Sequence, residues 1–138
     1  MAKTIDMQDI MHLNLFEKVT RIRTRFCFKY NGIIFFCVQK MFMSRAIGER
    51  GNNVRRLSQI LNKKIKVIRY PESVSEAREF IEAIVDPVTF KGLEVNENEI
   101  ILSGNTQTKA TIIGRNKRRL VEMQSIIKDF FGRDFRVS

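Results

Sequence analysis

Ile47-Gly48-Glu49-Arg50-Gly51-Asn52-Asn53-Val54 is the stretch on which the fold turns. Two glycines stand three residues apart, with branched apolar residues on either side. Met43 onward reads as a short helix leading to Gly48, and Asn52 to Leu61 reads as a second helix leaving Gly51. The glycines therefore make a tight turn between two helices, where another chain can approach without meeting a Cβ. Exposed N–H groups at the start of the second helix suit a phosphate. A lone pair of glycines at this spacing is common. The flanking Ile47 and Val54, the basic residues behind them and the strand that follows make it specific.

The same arrangement is written twice. Ile112-Ile113-Gly114-Arg115-Asn116-Lys117-Arg118-Arg119-Leu120 repeats it 66 residues later. Ile47 matches Ile113, Gly48 matches Gly114, Val54 matches Leu120 and Leu57 matches Met123. A turn lies upstream of each glycine, at Asn31-Gly32 and at Asn96 to Glu99, and a short alternating strand closes each copy. Asn-Gly between β-rich apolar runs specifies a two-residue hairpin, pairing Tyr30 with Ile33, Cys27 with Phe36 and Phe26 with Cys37.

Each copy is expected to run helix, strand, strand, helix, loop, helix, strand. In the first, a helix spans about Ile5 to Phe16, capped by Thr4 or Asp6, with Met7, Ile10, Met11 and Leu15 as its apolar stripe. Strands at Arg21 to Tyr30, Ile33 to Gln39 and Lys64 to Arg69 complete it. In the second, helices span Ser75 to Ile84, Thr108 to Ile112 and Lys117 to Phe131, the last ended by Gly132. Its strands lie at Val88 to Val95, Glu99 to Ser103 and Arg133 to Val137, with Phe135 and Val137 facing inward. Pro71 stops the first copy, giving domains at 1–70 and 71–138. In the first hairpin Phe26, Phe28, Tyr30, Ile33, Phe35 and Cys37 share one wholly apolar face, expected to pack on the helices. The other face mixes Arg25, Cys27 and Lys29 with Ile34, Phe36 and Val38.

The bulk numbers agree with a small binding module. The chain has 138 residues, 43% of them hydrophobic, enough to bury a core in one ordinary domain or two very small ones. A net charge of +10 favours polyanionic partners, nucleic acid first and an anionic membrane surface second. No apolar run approaches the ~18 residues that span a bilayer, and no secretory h-region stands at the N-terminus, so a soluble cytoplasmic protein is expected. Cys27 and Cys37 fall on opposite faces of the hairpin ribbon, which disfavours a disulfide. With His12 the only histidine, neither a metal site nor a Cys-His nucleophile pair is expected. Glu76, Glu79 and Glu82 read as a solvated helix face.

Charge is segregated. Ser44 to Arg69 holds eight basic residues and one acid, Glu49, whereas Glu72 to Glu99 holds eight acids and two basic residues, Arg78 and Lys91. The basic residues gather around the loops, which gives that face a stronger field than the net charge implies.

The IGxxGxxV pattern between two helices and before a strand resembles the KH domain. Leu15-Phe16-Glu17-Lys18-Val19-Thr20, Arg45-Ala46-Ile47-Gly48, Asn53-Val54-Arg55-Arg56-Leu57, Lys63-Lys64-Ile65-Lys66-Val67-Ile68 and Phe130-Phe131-Gly132 make nearly the whole chain resemble the archaeal NusA-like transcription factors. That resemblance implies an α+β fold of two tandem type II KH domains, each a three-stranded sheet packed on three helices. It implies binding of single-stranded RNA, the nascent transcript, in transcription termination or antitermination. RNA polymerase is a further candidate partner. Such a loop clamps about four nucleotides. Carried onto this sequence, the candidate RNA-binding residues are Arg45, Ile47, Gly48, Glu49, Arg50, Gly51, Asn52, Asn53, Arg55 and Arg56 in the first copy. In the second they are Gly114, Arg115, Asn116, Lys117, Arg118 and Arg119. No catalytic residue, metal, cofactor, membrane or small-molecule substrate is expected, since no carboxylate cluster lies near the basic loops.

Two positions depart from the pattern. Glu49 stands where Lys or Arg is usual, and a carboxylate there costs phosphate affinity unless it pairs with Arg45 or Arg50. Lys117 replaces the second glycine of the second loop, which predicts a less intimate backbone approach there. Two other readings are a KH protein of ribosome assembly or translation, and a protein-interaction scaffold with vestigial RNA binding.

Overall fold

The computed structural model describes residues 6–138. Among them it is an α+β protein with six α-helices and two three-stranded sheets. The chain divides into two compact units, one ending at Tyr70 and the other running Pro71–Ser138. The first runs α1 (Met7–Thr20), β1 (Phe26–Tyr30), β2 (Ile33–Val38), α2 (Met43–Ile47), α3 (Asn52–Leu61) and β3 (Lys64–Arg69). The second repeats the order with α4 (Ala77–Val85), β4 (Gly92–Val95), β5 (Glu99–Ser103), α5 (Thr106–Ile113), α6 (Arg118–Phe131) and β6 (Asp134–Val137). In each sheet the middle strand pairs antiparallel with the strand before it and parallel with the strand that follows the two helices.

The first hairpin has the expected register, Tyr30 opposite Ile33 and Phe26 opposite Cys37. Asn31 and Gly32 both take positive φ, 54° and 73°, as a type I′ turn needs. Both cysteines are buried and free. The expected inward face is reversed. Cys27, Ile34, Phe36 and Val38 pack on the helices with Phe16, Ala46, Leu57, Ile65 and Val67, and Phe36 stacks on Phe16 with centroids 4.4 Å apart. The opposite face, Phe28, Tyr30, Phe35 and Cys37, is buried as well. β2 is the central strand of its sheet and is buried on both faces, so the face that looks purer in sequence need not meet the helices. Lys29 does lie on the helix side, at the edge, where its ammonium donates to Gln8 Oε1 at 3.3 Å.

α1 also differs from its expected form. Asp6 caps it, accepting from the Asp9 N–H at 2.8 Å; Thr4 and Ile5 lie outside the described residues. The helix continues past Phe16 to Thr20. There the Thr20 hydroxyl donates to Phe16 O at 2.7 Å and accepts from the Ile22 N–H at 3.1 Å, closing the end. Its buried line is His12, Phe16 and Thr20, while Met7 and Met11 are 74% and 64% exposed. The stripe expected from Met7, Ile10 and Met11 thus faces away from the core. Residues 21–25 are a loop rather than the start of β1. β4 likewise starts at Gly92, because the Val88 N–H is spent in a turn on Val85 O at 2.9 Å.

The second core gathers Phe80, Ile81 and Ile84 from α4, Ile100 and Leu102 from β5, Ile112 from α5, Met123 and Ile127 from α6, and Phe135 from β6. Val137 is only half-buried. Phe130 and Phe131 meet Phe80 at 4.8 and 5.7 Å before Gly132, at φ 66°, caps α6. Among the described residues, no helix is long and apolar enough to cross a membrane.

Candidate nucleic-acid interface

The two glycine loops share one backbone. Gly48 and Gly114 end their short helices at φ/ψ 82°/163° and 73°/173°. Two residues on, Arg50 and Asn116 are left-handed at φ 55° and 56°. Gly51 and Lys117 then start the long helices at 74°/19° and 59°/21°. The N–H of Gly51 donates to Gly48 O at 3.0 Å, and that of Lys117 to Gly114 O at 3.2 Å.

The first glycine of each loop is required twice over. Its angles are closed to other residues, and a Cβ on Gly48 or Gly114 meets the following helix at Asn53 or Arg119. The second glycine position is less demanding. A Cβ on Gly51 finds only the Arg55 guanidinium, at 3.8 Å. That space explains how Lys117 occupies the same conformation, at the ~1–2 kcal/mol that a left-handed residue with a side chain costs. The bend of the second loop therefore survives the loss of its second glycine. What changes is that a side chain now stands on the turn.

The candidate side chains divide into two groups. Arg50, Arg56, Arg115, Lys117 and Arg118 are exposed, as are Glu49, Asn52 and Asn116. Arg45 is exposed too, its guanidinium 5.3 Å above the Phe42 ring. The others hold the loops together. Asn53 Nδ2 donates to Arg45 O at 3.1 Å, tying α3 to α2. Arg55 donates to Arg50 O at 2.6 Å and to Asn52 Oδ1, bracing the turn from behind. In the second unit Arg119 is partly buried and paired with Glu122, and Val121, exposed, stands 66 residues on from Arg55. Ile47, Gly48, Gly51 and Gly114 are half-buried. Sequence reasoning assigned Asn53, Arg55 and Arg119 to the ligand; in the structure their side chains also bond within the loops, Arg55 while remaining exposed. Asn53 and Arg55 lie one and three residues into the helix, positions from which a side chain reaches back over the turn.

Glu49 is exposed and has no ion-pair partner among the described residues; neither Arg45 nor Arg50 neutralises it. Among the described residues, no group of three or more His, Cys, Asp and Glu is placed to hold a metal ion.

No family model matches the chain. It is similar to the probable transcription termination protein NusA of Methanococcus vannielii, with 29% identity over 100 residues, 71% of this chain and 56% of that protein. A protein of the same name from Methanocaldococcus jannaschii is 24% identical over 133 residues, 93% of this chain and 71% of that one. The chain thus spans about half the length of the first of these relatives. Among solved structures, the crystal structure of APE1850 covers 96% of this chain and 99% of its own, with a TM-score of 0.67 at 19% identity. The fold is therefore one already seen in a crystal. The sequence has weak homology to the archaeal NusA-like termination proteins.

Proposed function

We propose that the chain binds single-stranded RNA through two tandem type II KH domains, residues 1–70 and 71–138, and acts on transcription termination or antitermination. The observation that carries the reading is the repeated loop. Twice in one chain, 66 residues apart, a glycine that tolerates no Cβ opens a left-handed bend between two helices, with exposed arginines or a lysine around it. Bare peptide beside concentrated positive charge suits a sugar–phosphate strand. The names of the two relatives supply the process. The protein is a binding module rather than an enzyme, with the nascent transcript as ligand and RNA polymerase as a candidate partner.

The two loops differ in how they hold the strand. The first offers open backbone at Gly51, and the second offers charge through Arg115, Lys117 and Arg118, with Arg119 set back against Glu122. Replacing the residues within each loop by aspartate tests the reading: Glu49→Asp with Arg50→Asp in the first, Arg115→Asp with Asn116→Asp in the second. Each pair should weaken binding of a single-stranded oligonucleotide, the first pair more than the second. A larger loss from the second pair would refute that ordering, and no loss from either would refute the function. Affinity should fall steeply with salt, and duplex RNA should bind more weakly than a single strand.

A further inference from the structure

Beside the first loop, at the other end of α2, lies a cleft that the loop reading does not use. It opens where β1 begins and where β2 and β3 end, and has a volume of ≈ 360 Å³. Three aromatic rings line it, Phe26, Phe42 and Tyr70, with Phe26 and Tyr70 stacked at 4.3 Å and 30°. Arg23, Thr24 and Arg25 form one rim. That rim is fixed, since the Thr24 hydroxyl donates to Cys37 O at 2.5 Å and accepts from the Phe26 N–H at 3.3 Å. A second hollow of ≈ 390 Å³ adjoins the first and is polar, lined by Asn14, Glu17, Lys18, Arg21 and Arg23. Arg23 belongs to both. Its guanidinium is 3.3 Å from Glu17, and with Lys18 and Arg21 the hollow carries three cations against that one carboxylate.

We propose that these joined hollows dock one further nucleotide of the bound RNA, the base against Phe42 and Tyr70 and the phosphate on Lys18, Arg21 and Arg23. The proposal rests on the reading that the first loop holds single-stranded RNA. The volume lies at the small end of ligand sites and fits a single flat base. Every base has a face that stacks on an aromatic ring, and a phosphate follows each base, which is the pairing of apolar and cationic hollows found here. An apolar peptide has no use for the cationic half. The distance also fits. Phe42 immediately precedes α2 and Gly48 immediately follows it. The five residues of α2 rise ~7 Å, a span on the order of one or two nucleotides of a single strand. Arg45, over the Phe42 ring, stands between the two places. The second unit lacks the ring of Phe42. The residue 66 positions after Phe42 is Thr108, whose hydroxyl is committed to Thr89 O at 3.1 Å.

Fluorescein-labelled oligouridylates of about four and about eight nucleotides, titrated against the full chain, separate the cleft from the loop, because the loop alone takes about four. Tyr70→Leu should leave the shorter oligomer unaffected and weaken the longer about tenfold. Lys18→Gln with Arg23→Gln should lower the salt slope for the longer oligomer by about 0.7, the single-strand value for one phosphate contact. Arg23 is 84% exposed, so this second variant reports even if Tyr70→Leu unfolds. Longer-oligomer binding equal to wild type in the charge variant would overturn the proposal, as would competition by octaglutamate as effective as by the RNA. Glu49→Asp with Arg50→Asp probes the loop alone. If its affinity for the shorter oligomer equals that of the wild type, the reading of the first loop fails while the cleft is still judged on the longer one.

Discussion

Gly48 stands against the backbone of Asn53: a Cβ on Gly48 would lie 2.9 Å from the Asn53 nitrogen, closer than such atoms approach. The same relation joins Gly114 to Arg119, where the added atom would come within 2.6 Å of Cγ and 3.2 Å of the nitrogen. The turn is thus a packed object in its own right, whatever lies against it.

Gly48→Ala should cost more stability than Gly51→Ala. The first change combines a conformation open to glycine with a backbone collision, for ~2 kcal/mol or more. The second meets only a left-handed φ with room for the side chain, ~1 kcal/mol. Urea unfolding of the two variants checks the order, and equal losses would contradict the geometry.

Arg55 and Arg56 carry equal charge and differ in employment. Arg55→Ala removes two hydrogen bonds that brace the turn and should lower stability by ~1 kcal/mol. Arg56→Ala should stay within ~0.5 kcal/mol, as exposed positions do. Both should reduce RNA affinity, but only Arg55→Ala should shift the denaturation midpoint.

His12 is buried on the core side of α1. Burial pushes its imidazole below the usual 6.5; Lys29 adds to the shift, and Asp9 and Asp6 oppose it. Below pH 6.5 the unfolded chain takes up the proton before the folded one. The stability present above that pH is therefore lost as the pH falls through the folded value, with a slope of at most ~1.4 kcal/mol per pH unit from this one group. Urea midpoints measured downward from pH 7.5 should show the decline beginning near 6.5, and His12→Gln should remove that component.

Met11→Ser should change stability by less than ~0.5 kcal/mol, whereas Phe16→Ala should cost ~3–5 kcal/mol. The contrast tests which face of α1 meets the sheet. A severe loss from Met11→Ser would restore the assignment first made from the sequence.

The element order was legible because the repeat supplied it twice. The register of the first hairpin followed from Asn31-Gly32 alone, and α3, β3 and β5 have their expected bounds. What failed had a common cause. Periodicity identifies apolar faces but not which one the neighbouring element chooses. Met7, Ile10 and Met11 satisfy a helical stripe as well as Leu13, Phe16 and Thr20 do, and both faces of β2 are apolar. Pairing with β3 makes β2 central, and that is a relation between distant segments. In the candidate site the positions of both loops were readable. Which arginine also braces the turn was not, since Arg55 and Arg56 look alike until the turn they flank has a shape.

β2 itself, Ile33-Ile34-Phe35-Phe36-Cys37-Val38, has no charge, no proline and high β-propensity over six residues. Such hexapeptides stack with copies of themselves when left uncovered. In the folded unit it is shielded on one edge by β1 and on the other by β3, which is made some thirty residues later. A nascent chain therefore carries a sticky segment with a vacant edge until Lys64–Arg69 has left the ribosome, and the lysines at 29, 64 and 66 stand on the neighbouring strands as gatekeepers against self-association.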